Sequence, residues 1–312
     1  MLSVLLSLSL GSYRGVGAEE LFKMLLGEPL TPVECAVLTR RSIRTLAAAV
    51  AGLGLGLSGA GLQYVLRNPL ADPYLLGLAS GAALGVLIGV LIGRCDPYSL
   101  FTLAFAGALA TFFLVFALSM LAGMSALAVI VTGITVSYVV SAVNTVLVLA
   151  LGEKVYGTFL WLFGSVAYAL KERVIQSILL VSIAGCWLII RSRAINTLIL
   201  GEEVASSLGV NVKSIRTEVV VLSALATAGI VAFAGPIGFL GLAAPWVARL
   251  AVGSDFRRLV LMTMVSGPLI SILSDVVARV MLTPQEVPLT AVTSVVGAPV
   301  LLYLMIRRRV WG

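Results

Sequence analysis

Long uncharged segments alternate with short polar stretches along most of this chain. A helix needs about 20 apolar residues to cross a bilayer, and several segments approach that length. We predict membrane spans over residues 45–66, 74–93, 98–122, 125–151, 174–190, 219–235, 237–252, 259–278 and 288–306, with a short extra helix within 157–169. The span 237–252 is short and contains Pro245, which predicts a broken or half-inserted helix.

Residues 1–10 are apolar but too short to span. They would cover only about 15 Å of a hydrocarbon core about 30 Å thick, and they lack the basic flank and cleavage site of a signal peptide. We interpret them as the outer half of a truncated first helix. The predicted fold is therefore all-α: a polytopic membrane protein of about ten transmembrane helices, forming one domain over residues 1–312.

Composition supports a membrane protein. Hydrophobic residues make up 60% of the chain and charged residues 11%, and the mean hydropathy is +1.11. Soluble domains carry about 25% charged residues. Lys and Arg are in slight excess in the short loops and the C-terminal tail on one side, which predicts that this side, with the C-terminus, is cytoplasmic.

The longest charged stretch between two spans covers residues 191–218. Leu200, Val204 and Leu208 recur there at every fourth position, near helix breaks at Gly201 and Gly209, which predicts a short amphipathic helix. Such a helix either lies on the membrane surface or docks into a groove on a soluble partner. The flanking cations are interpreted as orientation signals for the membrane: Arg191, Arg193, Lys213 and Arg216.

Several kinds of site are excluded. The chain has no histidine, so it has no histidine-based zinc site or catalytic triad, and its cysteines lack metal-ligand spacing. No G-x-x-x-x-G-K-[ST] loop is present, so the chain is not expected to hydrolyse ATP or to hold a cofactor. Gly54 to Gly59 fits G-x-G-x-x-G, but inside an uncharged span this pattern indicates close helix packing. Cys35 and Cys95 lie on the predicted outer face, as either a disulfide or two free thiols.

Charged residues are rare inside the predicted spans, and Asp275 lies near the end of one. Ion-coupled carriers and channels with charged rings usually need intramembrane charges, so energy for transport must come from elsewhere, or transport is passive. Ser137, Ser141 and Asn144 share one helix face and either line a path or bond to a neighbouring helix. A stripe of glycines at every fourth position predicts tight helix packing in preference to permeation: Gly77, Gly81, Gly85, Gly89 and Gly93.

Five ordered motifs carry a family resemblance. They are RNPLADPYLLGLASGAALG (67–85), GEEVASSLGV (201–210), GPIGFLGLAAPWVARL (235–250), SDFRRL (254–259) and TSVVGAPVL (293–301). In this order they resemble the FecCD-like permease subunits of ABC importers for iron chelates, haem and vitamin B12. Trp246 and Phe256 stand where histidines are common in that family, and Thr290 replaces a glycine, so no role of those histidines is transferred.

The resemblance implies ten helices per subunit, short cytoplasmic coupling helices and a homodimer in the cell membrane. It also implies two cytoplasmic ATPase subunits, which would hold ATP and magnesium, and an extracytoplasmic substrate-binding protein. The coupling loop would lie at about 191–217. Its ATPase-coupling residues are similar to a signature of ABC permeases: Gly201, Glu202, Glu203, Val204, Ala205, Ser206, Ser207, Leu208 and Gly209. By the same resemblance, the binding protein would dock on Arg40, Arg41, Arg44 and Arg279.

The expected function is that of a permease subunit, not an enzyme, which moves a ferric siderophore, haem or a corrinoid across the cell membrane. Ser137, Ser141 and Asn144 are the expected lining of its path. An oxyanion importer of the molybdate type is an alternative within the family, and a passive channel or facilitator is a rival outside it. An integral-membrane enzyme would need convergent ionisable groups, which the uncharged spans lack. No nucleic-acid partner is expected; membrane lipid surrounds the chain.

Overall fold

The computed structural model describes residues 2–11, 15–283 and 285–307. These residues form α-helices joined by short turns and 3₁₀ segments, which confirms the all-α prediction. The helices are α1 (Leu2–Ser9), α2 (Ala18–Leu26), α3 (Pro32–Val65), α4 (Leu78–Leu91), α5 (Pro97–Leu121), α6 (Ala126–Leu151), α7 (Phe159–Leu162), α8 (Lys171–Ile190), α9 (Ser192–Thr197), α10 (Glu202–Ser207), α11 (Val212–Ala234), α12 (Leu240–Val252), α13 (Phe256–Val280) and α14 (Leu289–Arg307).

Nine apolar helices occupy the nine predicted spans. Within the described residues, six of them (α3, α5, α6, α8, α11 and α13) are long and apolar enough to cross a membrane, and α4, α12 and part of α14 are shorter apolar helices. The first helix is short, as predicted, and lies against α3 and α13. The predicted extra helix within 157–169 is smaller than expected: a 3₁₀ segment at Gly152–Thr158 leads into the single turn α7.

The long helix α3 lies at the centre of the bundle, with α11, α12 and α13 packed around it. Its glycines allow this close contact: a Cβ on Gly52 would collide with the backbone of Gly267, and one on Gly59 with the carbonyl of Gly241. Small residues let membrane helices approach this closely. The packing interpretation of the Gly54–Gly59 segment is therefore confirmed.

The glycine stripe of α4 packs against α5 along most of its length. A Cβ on Gly81 would meet the backbone of Gly107, and a Cβ on Gly85 would meet the backbone of Leu103. Gly93 lies beyond the end of α4 in the left-handed region and has open space around it. The packing prediction is thus confirmed for the helical part of the stripe and does not extend to its last member.

Two boundaries differ from the sequence-based expectation. Helix α3 begins at Pro32 rather than near residue 45, because Thr31 and Glu34 form a capping box at its N-terminus. Pro245 does not break α12, which is continuous through it. The irregular backbone lies just before α12, where Phe239 adopts a φ of 71°. The hydroxyl of Thr290 supports this segment by accepting from Gly238 N at 3.1 Å and donating to Pro236 O at 2.8 Å.

The turn between α3 and α4 has the predicted cap. The carboxylate of Asp72 accepts a hydrogen bond from Tyr74 N at 2.8 Å, and Pro73 occupies the first position of a 3₁₀ helix, Pro73–Leu76. The Tyr74 hydroxyl then accepts a hydrogen bond from Ile237 N at 2.8 Å. This contact joins the turn to the irregular segment before α12. The three cysteines are free thiols in the structure, so Cys35 and Cys95 do not form a disulfide there.

Candidate functional site

The predicted coupling segment is a short helix between two glycine turns. The backbone of Gly201 has a φ of 114° and that of Gly209 a φ of 83°, both in the region that favours glycine. Helix α10 covers the six residues Glu202–Ser207 between them. No side chain or backbone atom lies within 4 Å of a Cβ built on either glycine. The two glycines thus lie at either end of a short helix, and no neighbouring atoms crowd them.

The apolar side chains of the coupling segment face outward. Leu200 is 63% exposed, Val204 44% and Leu208 61%, whereas Ala205 is fully buried against the bundle. A row of exposed apolar side chains on a polar loop is suited to contact with another surface. The structure therefore leaves this row unpartnered within the described chain, as both the membrane-surface and the docking interpretations require.

Glu202 points the other way, into the bundle, where it pairs with Arg216. Arg216 is 3% exposed, and it also donates from Nε to Val65 O at 3.1 Å and from Nη1 to Met124 O at 2.9 Å. The interpretation of Arg216 as an orientation signal is wrong, because a buried side chain with these bonds is a structural contact. Arg191 likewise forms an ion pair with Glu218, at 3.4 Å and partly exposed.

At the opposite end of the bundle, the predicted docking arginines lie in α3 and α13 rather than in loops. Arg40 is exposed and donates to Ala167 O at 2.6 Å. Arg41 is 5% exposed, and its Nη1 donates to the carbonyls of Leu8 and Ser9 at 2.9 and 3.0 Å. Cations at a helix C-terminus stabilise its unpaired carbonyls. Arg41 therefore holds the end of α1 against α3.

Arg44 and Arg279 share one buried carboxylate. Asp275 is 1% exposed and lies 2.9 Å from Arg44 Nε and 3.0 Å from Arg279 Nη2. Arg44 also pairs with Glu286 at 2.6 Å, and Arg279 donates to the Ser7 hydroxyl at 2.5 Å. Two cations and two carboxylates thus compensate one another, and the network joins α1, α3 and α13. We call these four charged residues the outer ion network.

One side of the outer ion network faces a cavity of about 450 Å³. Arg40, Arg41, Arg44 and Arg279 all contribute to its wall, with Glu286 among them. The structure therefore brings the four predicted arginines together. All four also have partners within the chain, Arg40 through Ala167 O, and Arg40 is the exposed member of the set.

The predicted path residues lie on α6 but not in one environment. Asn144 donates to Ser80 O of α4 at 2.9 Å, which is the helix–helix contact that the sequence left open. Ser137 is half-buried near Gly77, whereas Ser141 is exposed. Ser141 is therefore the member of this set that is accessible on the surface of the single chain.

Sequence reasoning missed Arg216 and Glu286. A signal was present for Arg216, because it is the fifth residue of the long apolar helix α11. A cation inside an apolar membrane helix usually has a buried partner, and the nearest acidic residues on the polar loop were candidates. No comparable signal pointed to Glu286, whose partner Arg44 is 242 positions away.

Comparisons with known proteins show strong similarity over nearly the whole chain. A family model described as the FecCD transport family matches residues 1–307. The hemin transport system permease protein HmuU of Yersinia pestis is 35% identical over 273 residues, which cover 85% of this chain and 81% of that protein. The cobalamin import system permease protein BtuC of Halobacterium salinarum is 34% identical over 273 residues, 87% of this chain and 73% of that protein.

A solved structure has the same fold. It is described as an inward-facing conformation of a metal-chelate type ABC transporter, with a TM-score of 0.87 and 31% identity. The match covers 98% of this chain and 96% of that chain. The bundle described above is therefore the fold of a transporter subunit.

Proposed function

The chain belongs to the FecCD transport family, as a multi-pass permease subunit of an ABC transporter. On that premise we propose that it imports a metal chelate across the cytoplasmic membrane. A separate ATPase, bound at α10, would drive this import. The permease subunits of this family are not enzymes, and ATP hydrolysis belongs to a separate subunit. In the proposed assembly two copies of this chain pair with two ATPase subunits, and the C-terminus lies in the cytoplasm.

The exposed apolar row of α10 carries the coupling proposal. Val204 and Leu208 project from a short helix that is bounded by Gly201 and Gly209 and anchored by the buried Ala205. A short helix with an apolar face fits a groove on a soluble partner. Glu203, exposed beside this row, adds charge complementarity at its edge. The polar loop therefore offers the ATPase a compact and orientable contact.

The proposed substrate class follows from the relatives. HmuU is named for hemin, BtuC for cobalamin, and the similar solved structure for a metal chelate. Hemin and cobalamin are both metal complexes held by organic ligands. We therefore propose a metal chelate of this kind, a ferric siderophore, haem or a corrinoid, with Ser137, Ser141 and Asn144 of α6 as part of its path.

An extracytoplasmic binding protein would deliver the chelate to the outer face. The cavity lined by Arg40, Arg41, Arg44 and Arg279 is suited to receive acidic side chains from such a partner. All four arginines have partners within the chain, but Arg40 is the exposed one, so it is the member proposed to contribute most to docking. The buried three would hold the shape of the cavity.

The coupling proposal is tested by Leu208→Asp, with Leu282→Asp as the matched control. Both leucines are 61% exposed, but Leu282 follows α13, at the end of the bundle opposite α10. A tagged chain is purified from cells that express it with its ATPase, and the retained ATPase is quantified. L208D is expected to lose the ATPase and L282D to keep it. Equal retention by the two variants would contradict docking at α10.

The substrate proposal is tested in vesicles that contain the purified complex. Hemin, cobalamin, ferric dicitrate and molybdate are each offered with and without ATP. ATP-dependent accumulation of one of the first three supports the proposal. Accumulation of molybdate alone would favour an oxyanion importer, and accumulation of any solute without ATP would favour a passive facilitator.

A further inference from the structure

The buried guanidinium of Arg216 joins two separate parts of the bundle to the coupling helix. Its Nε donates to Val65 O at the C-terminal end of α3, and its Nη1 donates to Met124 O in the turn between α5 and α6. Its Nη2 pairs with Glu202 at the start of α10. Arginine presents five N–H donors in a fixed plane, so a displacement of any one acceptor changes the geometry of the others.

The carbonyl of Val65 has no hydrogen-bond donor within its own helix, and the carbonyl of Met124 belongs to a strained backbone position. Val65 is the last residue of α3, where the final carbonyls have no intrahelical donor. Met124 has a φ of 56° although it is not glycine, and its side chain is fully buried. Such a conformation persists only where the surroundings fix it. The bond from Arg216 is part of what fixes the base of α6.

Apart from the packing of Ala205, helix α10 has few attachments to the bundle. It is bounded by Gly201 and Gly209, and a cavity of about 600 Å³ lies between it and the turn that contains Gly123 and Ser125. Within the part of the chain that the structure describes, Glu202 provides the side-chain hydrogen bond that joins α10 to the membrane helices. The segment thus has a glycine at each end, space beside it, one buried side chain and one charged tether.

We propose that the Glu202–Arg216 pair is the link through which movement of the coupling helix reaches α3 and the base of α6. Arg216 is a positioning residue in this account, because it acts on the membrane helices and contacts no substrate. The inference rests on the proposed binding of the ATPase at α10. It adds the route by which that binding shifts the helix that carries Ser141.

Glu202→Gln is the discriminating variant. Glu202 is partly exposed, with 43% of its side chain accessible, and its neutralisation leaves the bonds from Arg216 to Val65 O and Met124 O in place. A role of Arg216 confined to the structure of the bundle would survive this change. Glu218→Gln is the matched control, because it removes the charge of the partly exposed Arg191–Glu218 pair nearby on the same face.

The readout is the accessibility of α6, which does not depend on the identity of the substrate. In a background with Cys35, Cys95 and Cys186 replaced by serine, S141C is labelled with a maleimide in the complex with its ATPase. The labelling rate is measured without nucleotide and after trapping with ATP and vanadate. Trapping is expected to change the rate about fivefold or more in the reference complex and with E218Q. With E202Q the ATPase should still co-purify, and the change should be lost.

Three results would overturn the link: a full nucleotide-dependent change with E202Q, no change in the reference complex, or loss of the ATPase from E202Q, which would make Glu202 a docking residue instead. Failure of the unaltered chain to retain an ATPase is a separate outcome, because it contradicts the proposed function itself.

Arg216→Lys provides a second variant. Lysine retains the charge but cannot reach three acceptors in one plane, so a reduced change is expected.

Discussion

Replacement of Asp275 by asparagine should destabilise the chain more than any exposed charge neutralisation. Asp275 is 1% exposed and accepts from two buried guanidiniums. Removal of one partner from a buried ion pair costs about 3–5 kcal/mol, because the remaining charge stays buried without compensation. Arg44 keeps Glu286 at 2.6 Å, so the residual imbalance falls mainly on Arg279, and we expect a loss of about 3 kcal/mol.

The double variant D275N/R279Q separates charge imbalance from lost packing. It removes one anion and one cation and leaves the Arg44–Glu286 pair intact. It should therefore be less destabilised than D275N alone, a non-additive result that a double-mutant cycle measures.

The assay is unfolding in mixed detergent and SDS micelles, followed by circular dichroism. Glu19→Gln is the control, because the Glu19–Lys23 pair is exposed and such pairs contribute about 0–1 kcal/mol. Similar losses for D275N and E19Q, or a double variant that is the sum of its singles, would refute the account of the outer ion network.

Three further predictions concern packing, orientation and docking. Gly85→Ala should destabilise the bundle by about 1–3 kcal/mol, because the new Cβ would collide with the backbone of Leu103. Gly157→Ala is the control: its new Cβ would have no atom within 4 Å, so the change should be neutral. Thermal unfolding in detergent measures the stability of both variants. A membrane-impermeant maleimide added to intact cells should label Cys35 and Cys95 but not Cys186, which lies within the span α8. Labelling of Cys35 and Cys95 only after permeabilisation would contradict the proposed orientation. Arg40→Glu should weaken the affinity of the extracytoplasmic binding protein at low salt, measured by titration calorimetry, whereas Arg94→Glu, an exposed residue between α4 and α5, should leave the affinity unchanged.

The spans of this fold could be predicted because hydrophobic length is a local property of the sequence. The start of α3 was missed because residues 32–44 mix charged and apolar side chains and do not resemble a span. The capping box of Thr31 and Glu34 was a local signal for this start, whereas the burial of Arg41 and Arg44 was not readable from the sequence. The same limit applies to pairing: Arg44 and Asp275 are 231 positions apart. Their contact depends on how α3 packs against α13, which no local pattern encodes.

For the coupling segment, the sequence predicted a local helix but not the buried contact of Arg216. The spacing of Leu200, Val204 and Leu208 predicted a short helix with one apolar face. The structure has a helix there, α10, but it holds only Val204: Leu200 precedes it in a 3₁₀ segment and Leu208 follows it, and all three side chains are exposed. The role of Arg216 was obscured because a cation near a membrane boundary is also the usual signal for orientation. Burial, which the sequence alone does not give, distinguishes the two.

The central claim is that ATP hydrolysis by a partner drives import through this chain by way of α10. The most direct test is uptake of hemin, cobalamin or ferric dicitrate into vesicles that contain the purified complex, with ATP supplied on the side of the ATPase. We predict accumulation that requires ATP, that is abolished by L208D and that is retained by L282D. Accumulation without ATP, or undiminished uptake by L208D, would contradict it.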